Sequence, residues 1–178
     1  MIDKQFWYQE PEILWKNLIW KKIKKYNIEW IINEVEIYWW KFDPASHAYR
    51  WKTSRNWPMF WKWWLIYVYL IYGIHYCFNI SFGWNTWAVL IRWVKPVYWI
   101  ETIIRNRKTN KIKNLVNWPG KFTQAFGIDL SYNWLSLYDD SNDIIIKEWV
   151  NDFDFYTTSR VWISKWKDKK YRFVINKL

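Results

Sequence analysis

Apolar and polar positions along the chain change period several times, and each change predicts an element. Over residues 10–25, Ile13, Leu14, Leu18 and Ile19 fall on one side and lysines on the other, a helical stripe. Residues 31–38 (IINEVEIY) alternate as a strand, with Glu34, Glu36 and Tyr38 on one face and Val35 and Ile37 on the other. A polar connection, KFDPASHAYR, follows. The runs LIYVYLI (65–71) and IHYCFNI (74–80) are β-branched and aromatic, and Tyr72-Gly73 separates them as a hairpin break. Residues 87–94 (WAVLIRWV) form another strand ended by Lys95-Pro96. A short helix is expected after NWPGK, and YRFVINKL reads as a last strand. Strands dominate, neighbours are joined mostly by hairpins, and no linker or repeat divides the chain. The expected fold is α+β: one domain over residues 1–178, a curved, barrel-like antiparallel sheet with peripheral helices.

Composition alters this picture in one respect. The chain has 20 Trp and 4 Gly, whereas glycine ordinarily makes up about 7% of residues. In RNWPMFWKWWL (55–65), Trp57, Trp61, Trp63 and Trp64 crowd a stretch that otherwise reads as a turn. Asn-Trp recurs at 56–57, 117–118 and 133–134, where Asn-Gly is the usual turn dipeptide. NWPGK and SKWKDKK likewise read as loops with their glycine replaced. These tryptophans follow neither the strand nor the helix period. The reading that accounts for them is UGA codons that mean glycine but are translated as tryptophan, against a genuinely Trp-rich binding protein as the alternative. Several of Trp51, Trp61, Trp64, Trp118 and Trp134 are then expected at positive φ or projecting from loops without packing.

The formal net charge of +11 favours a polyanionic partner, set against a generally Lys-rich composition. Basic residues concentrate in WKKIKKY (20–26) and KWKDKKYR (165–172), and residues 139–154 carry most of the local acid. The start lacks a secretory pattern, and residues 65–80 are too short and polar to span a membrane. The lone Cys77 reads as a core thiol in a reducing cytoplasm. With His47 and His75 as the only imidazoles, a Cys/His zinc site is not expected.

Candidate chemistry centres on Glu36 and Tyr38, two residues apart on one strand face: a base beside an aromatic platform, or a solvated surface glutamate. Arg92 interrupts an apolar strand, so it is either an edge residue or the partner of a buried acid, with Glu36 the candidate. His47 reads as a base, a ligand or a structural histidine. Tyr67, Tyr69 and Tyr72 are candidate core residues, but Tyr72 at the turn is presented outward. WPGK with Lys121 hints at a phosphate loop without meeting the Walker pattern.

Four segments in series carry a family resemblance: EVEIYWWKFDPASHAYRWKTSRNWPMF (34–60), YVYLIYGIHYCFNI (67–80), AVLIRWVKP (88–96) and NWPGKFTQAFGID (117–129). Together they resemble the alkyladenine (3-methyladenine) DNA glycosylases of the methylpurine-glycosylase family, from about residue 11 to the C-terminus. The family pattern has glycine where this chain has Trp20, Trp30, Trp40, Trp51, Trp61, Trp64, Trp99, Trp118, Trp134 and Trp162. The resemblance implies roles. Glu36 is the general base that activates water, and Arg92 holds both. Tyr38 stacks on one face of an everted base while His47 and Tyr69 cover the other, and Asn79 excludes the exocyclic amine of guanine. Tyr72 is the wedge that enters the minor groove, with Ile74 where a methionine can occur and Lys121 on the DNA side. It further implies a cytoplasmic, nucleoid-associated, bacterial-type monomer. Its partner is double-stranded DNA containing damaged purines. It excises alkylated or deaminated purines without strand cleavage, metal or organic cofactor. The rival reading is a non-catalytic DNA- or glycan-binding module with aromatic stacking platforms.

Overall fold

The computed structural model describes residues 2, 4–9, 11–39, 42–61, 64–83, 87–98, 100–139, 141–149 and 154–176. Among the described residues three α-helices, α1 (Pro11–Leu18), α2 (Ile100–Arg107) and α3 (Pro119–Phe126), surround one curled antiparallel sheet. Its strands are β1 (Lys22–Lys25), β2 (Ile28–Tyr38), β3 (Trp64–Ile71), β4 (His75–Phe82), β5 (Trp87–Pro96), β6 (Ile144–Lys147), β7 (Phe155–Thr158) and β8 (Arg172–Ile175). The main path runs β3-β4-β5-β2-β1-β6. β2 is long enough to pair with β5 along one edge and with both β1 and β8 along the other; β7 then closes on β8.

The α+β single-domain expectation and the five strands read from periodicity are all present. The helix expected over residues 10–25 is not. It stops at Leu18, and residues 22–25 form β1, hydrogen-bonded to β2 and β6. Two of the lysines read as a solvent face, Lys22 and Lys25, turn inward because each finds a partner there. Lys25 Nζ donates to the carbonyls of Phe126 (2.7 Å) and Gly127 (3.1 Å) at the C-terminal end of α3, where the helix dipole favours a cation. Lys22 Nζ lies 3.5 Å from the Trp149 ring centroid. The helix expected after NWPGK begins inside it: Pro119 takes the first turn, where its missing N–H is not needed, and Gly127 closes the helix at φ 59°.

β2 is buried along nearly all its length, so its two faces do not divide into core and solvent. Opposite β5 its register shifts between Ile32 and Val35. Such a bulge re-aims side chains, and here both Glu34 and Glu36 reach Arg92. The main core packs Ile37, Ile66, Phe78, Ile80, Val89 and Ile91 of the sheet against Leu14, Leu18, Phe122 and Phe126 of the helices. A smaller cluster of Ala48, Met59, Tyr67 and Ala88 lies apart from it.

The tryptophans fit this fold unevenly. Trp134 and Trp162 occupy the left-handed region at φ 78° and 60°, and Trp166 joins them at 54°. Trp51 is exposed, with φ 159°. Trp61 has an ordinary φ of −89° but an exposed ring. Its backbone runs so near Gly83 that a Cβ there would lie 1.9 Å from the Trp61 carbonyl oxygen. Trp20, Trp30 and Trp118 bury indole N–H groups without a hydrogen-bond partner, an omission that costs about 1–3 kcal/mol each. Trp118 has extended rather than positive φ. Trp64 is not one of those that strain or project. It is fully buried in β3, stacks on Phe82 at 4.5 Å and donates its indole N–H to the Trp7 carbonyl at 2.7 Å. A strand needs no positive φ, and the core there has room for a large ring. Trp40, Trp63 and Trp99 lie outside the described residues.

Candidate active site

The end of β2 places Glu36 at the centre of a buried charge cluster. Its side chain is fully buried. Oε2 accepts from Arg92 Nη1 at 3.2 Å and from the Tyr38 hydroxyl at 2.7 Å, while Oε1 accepts from the Val161 backbone N–H at 2.6 Å. The surface-glutamate alternative is therefore excluded, and Arg92 is the partner of a buried acid. Burial pushes the Glu36 carboxyl up; Arg92, the Val161 N–H and the Tyr38 hydroxyl pull it back. The net effect is upward, with burial the largest cause.

Sequence reasoning missed two further members. Glu34 accepts from Arg92 Nε at 2.9 Å and from Arg172 Nε on β8 at 2.6 Å, so Arg92 is gripped by two carboxylates. Glu34 shared the alternation with Glu36 and was visible in it. Nothing local marked Arg172 or the segment that presents Val161.

In front of this cluster lies a cleft of about 170 Å³ lined by Tyr38, His47, Tyr67, Tyr69, Cys77, Asn79, Arg92, Val161 and others. Glu36 does not itself reach the lining; its three hydrogen-bond donors do. The His47 ring meets Tyr69 edge-on at 4.5 Å, and its Nδ1 is 2.9 Å from the Tyr67 hydroxyl. Enclosure among these rings, with Arg55 adding to it, pulls the His47 pKa down to about 4, although the residue keeps a solvent-facing edge. His47 is thus neutral at pH 7 and presents no charge to a cationic ring. Burial pushes the Cys77 thiol up to about 11, so it stays protonated. Asn79 is buried and donates its amide to the Tyr67 carbonyl at 3.0 Å.

Tyr72 lines the outer end of the cleft. It sits at the β3–β4 hairpin tip at φ 54°, with Gly73 at 71°, and is 69% exposed. Two successive positive φ values make a primed turn, which splays least but strains a non-glycine residue. Strain of this kind concentrates at functional positions. Ile74 is exposed beside it without lining the cleft. Lys121, in the first turn of α3, donates to Asn117 at 2.9 Å. It lies outside the cleft, whereas Trp118 and Pro119 just before it form part of the rim.

The rim also contains Trp162, whose ring lies 5.7 Å from that of Trp118 and 5.8 Å from the Arg92 guanidinium. An apolar cavity of roughly 150 Å³ holds one benzene ring, so the cleft as it stands is tight for a two-ring purine. Both indoles are among its lining residues.

A family model described as methylpurine-DNA glycosylase matches residues 6–178. The match defines a DNA glycosylase, a hydrolase of the bond between base and sugar. The chain belongs to the methylpurine-DNA glycosylase family. It is 38% identical over 162 residues to a protein of Francisella tularensis subsp. tularensis (strain FSC 198), covering 86% of this chain and 83% of that one. Identity is 37% over 182 residues with a Carboxydothermus hydrogenoformans protein (98% and 95%) and 41% over 162 residues with one from Prosthecochloris aestuarii (90% and 78%). All three carry the name "Putative 3-methyladenine DNA glycosylase". Among the described residues no helix is long and apolar enough to cross a membrane.

Proposed function

We propose that the protein excises alkylated or deaminated purines, 3-methyladenine among them, from double-stranded DNA. It flips the nucleotide into the cleft and hydrolyses the N-glycosidic bond. The observation that carries this reading is a fully buried carboxylate, Glu36, held by Arg92, Tyr38 and the Val161 N–H behind an aromatic slot. A glycosidic carbon is unreachable in a stacked duplex, so eversion costs a few kcal/mol. Tyr72 at its strained hairpin tip compensates by filling the vacated stack. Tyr38 and the His47–Tyr69 wall sandwich the base, and Asn79 on the lining screens its edge. Ile74 flanks the wedge and Lys121 contributes to the basic face that meets phosphates.

Glu36, ionised, takes a proton from water as the water oxygen bonds to C1′. The C1′–N bond breaks and its electron pair leaves with the purine, which neutralises the positive charge of an alkylated base. The negative charge behind the lining also favours the oxocarbenium character that develops on the sugar. Arg92 keeps Glu36 oriented. The protein works as a monomer in a bacterial cytoplasm, at the nucleoid.

Trp118 and Trp162 on the rim, and Glu36 behind the lining, favour a second reading: a module that binds bases by stacking without cleaving them. The two separate in one assay, release of free base from methylated and from inosine-containing duplexes, run for this chain and for the variant with glycine at 118 and 162. Excision by either protein supports the glycosylase. Tight lesion binding without base release by both proteins supports the stacking module and overturns the proposal.

A further inference from the structure

Arg160 and Asp43 form an ion pair whose side chains are both fully buried, and no step of the proposed reaction uses it. Burying two charges seldom stabilises a fold, since well-packed apolar residues do as well. The cost is plain here, because Arg160 also leaves its Nε–H without a partner. What the pair does is join three walls of the cleft.

Arg160 Nη1 donates to the Ile37 carbonyl at 2.9 Å, next to Tyr38 at the end of β2. Its Nη2 donates to Asp43 Oδ1 at 2.9 Å. Asp43 in turn accepts from the Trp39 N–H at 3.2 Å and the Ala45 N–H at 3.0 Å. It thereby fixes the turn that leads to His47. The guanidinium carbon lies 4.6 Å from the Tyr38 ring centroid and 5.5 Å from that of Tyr171. The next residue, Val161, gives its N–H to Glu36.

We propose that Arg160, locked by Asp43, is a positioning residue. It fixes the slot between Tyr38 and the His47–Tyr69 wall, and it sets the Val161 N–H on Glu36. This rests on the reading of the cleft as the slot for a damaged base. A planar, bidentate guanidinium meets these geometric demands together; a lysine ammonium keeps the charge but loses the fork and the flat face against Tyr38.

The test compares Arg160→Lys with the parent and with Glu36→Gln, by single-turnover excision from inosine-containing and methylated duplexes across pH. A small misplacement of reacting groups costs up to about 100-fold in rate, and Arg160→Lys is expected to lose on that order. Weakening the Val161 hydrogen bond also makes Glu36 harder to ionise, so the acid limb should move to higher pH. The groups facing Glu36 are Glu34 and Tyr38 on its own strand, Arg92 on β5, Cys77 on β4 and Arg172 on β8. None of them is altered. A purely structural role would lower the active fraction and leave both rate constant and pH profile of the folded molecules unchanged. That result, with Glu36→Gln inactive, overturns the proposal. If Arg160→Lys does not fold, the charge-free pair Asp43→Asn with Arg160→Met takes its place under the same criteria. Parental turnover by Glu36→Gln would instead overturn the assignment of the base, and the Arg160 result is then decided on the rate constant.

Discussion

Replacing tryptophan by glycine should have opposite effects at different places in this chain. At Trp134 and Trp162 the backbone lies in the left-handed region, at φ 78° and 60°. A side chain held there costs about 1–2 kcal/mol, and glycine removes that cost. Against it stands the greater freedom of glycine in the unfolded chain, about 0.4–1 kcal/mol. Less packing is lost than in the core, because the rings are 40% and 66% exposed. Each substitution should therefore be neutral to stabilising, by roughly 0.5 kcal/mol net. Trp64 is the control. It is fully buried, stacked and hydrogen-bonded, and truncating a buried Trp costs about 3–5 kcal/mol, before any further loss from glycine in a strand. Urea unfolding reads the difference. Trp64→Gly should lower the midpoint by more than about 1 M, at a slope of 1–3 kcal/mol/M, while Trp134→Gly and Trp162→Gly hold or raise it. Equal losses at all three sites would refute the claim that backbone strain singles out the loop tryptophans.

Three further outcomes follow from the same geometry. If glycine is the intended residue, the coding DNA carries UGA at 134, 162 and most other tryptophans; UGG there would make the tryptophans genuine and leave the loop strain intrinsic. Tyr72→Ala should weaken binding to lesion-containing duplex more than to intact duplex, measured by anisotropy, and both should still fall steeply with salt; equal losses would make Tyr72 a general contact. His47 is held neutral, with its pKa lowered to about 4, so its contribution to stability is complete above about pH 6.5 and is lost as pH falls through 4. His47→Gln should flatten that part of the stability curve, modestly because the ring keeps a solvent-facing edge, and an NMR titration should find the His47 ring unprotonated at pH 6.

Alternation in β2 and the apolar runs of β3, β4 and β5 made the sheet legible, and with it the Glu36–Tyr38 pair and the odd arginine of β5. What escaped was non-local. Lys22 and Lys25 looked like the polar face of a helix because their partners, the end of α3 and Trp149, lie more than 100 residues away. β6 and β7 are four-residue strands formed only by pairing with β1 and β8. Arg172 and Arg160 had no local signal, since each is defined by a carboxylate over 100 residues distant. Asp43 carried a faint one in the Asp-Pro of KFDPASH, a turn-forming pair. The tryptophans show the converse limit: their number was obvious from the sequence, but the place of Trp118 and Trp162 in the cleft lining emerged only with the fold.

Hydrolysis by a water activated at Glu36 is most directly tested with Glu36→Gln, which keeps the shape of the side chain and removes its charge. Single-turnover release of free base from a methylated duplex and binding to the same duplex are measured side by side. Loss of the general base should lower the rate by about 10²–10⁴, while binding stays near the parental level, because Tyr38, His47, Tyr72 and the basic surface are untouched. Parental release of base by the Gln variant would contradict the account.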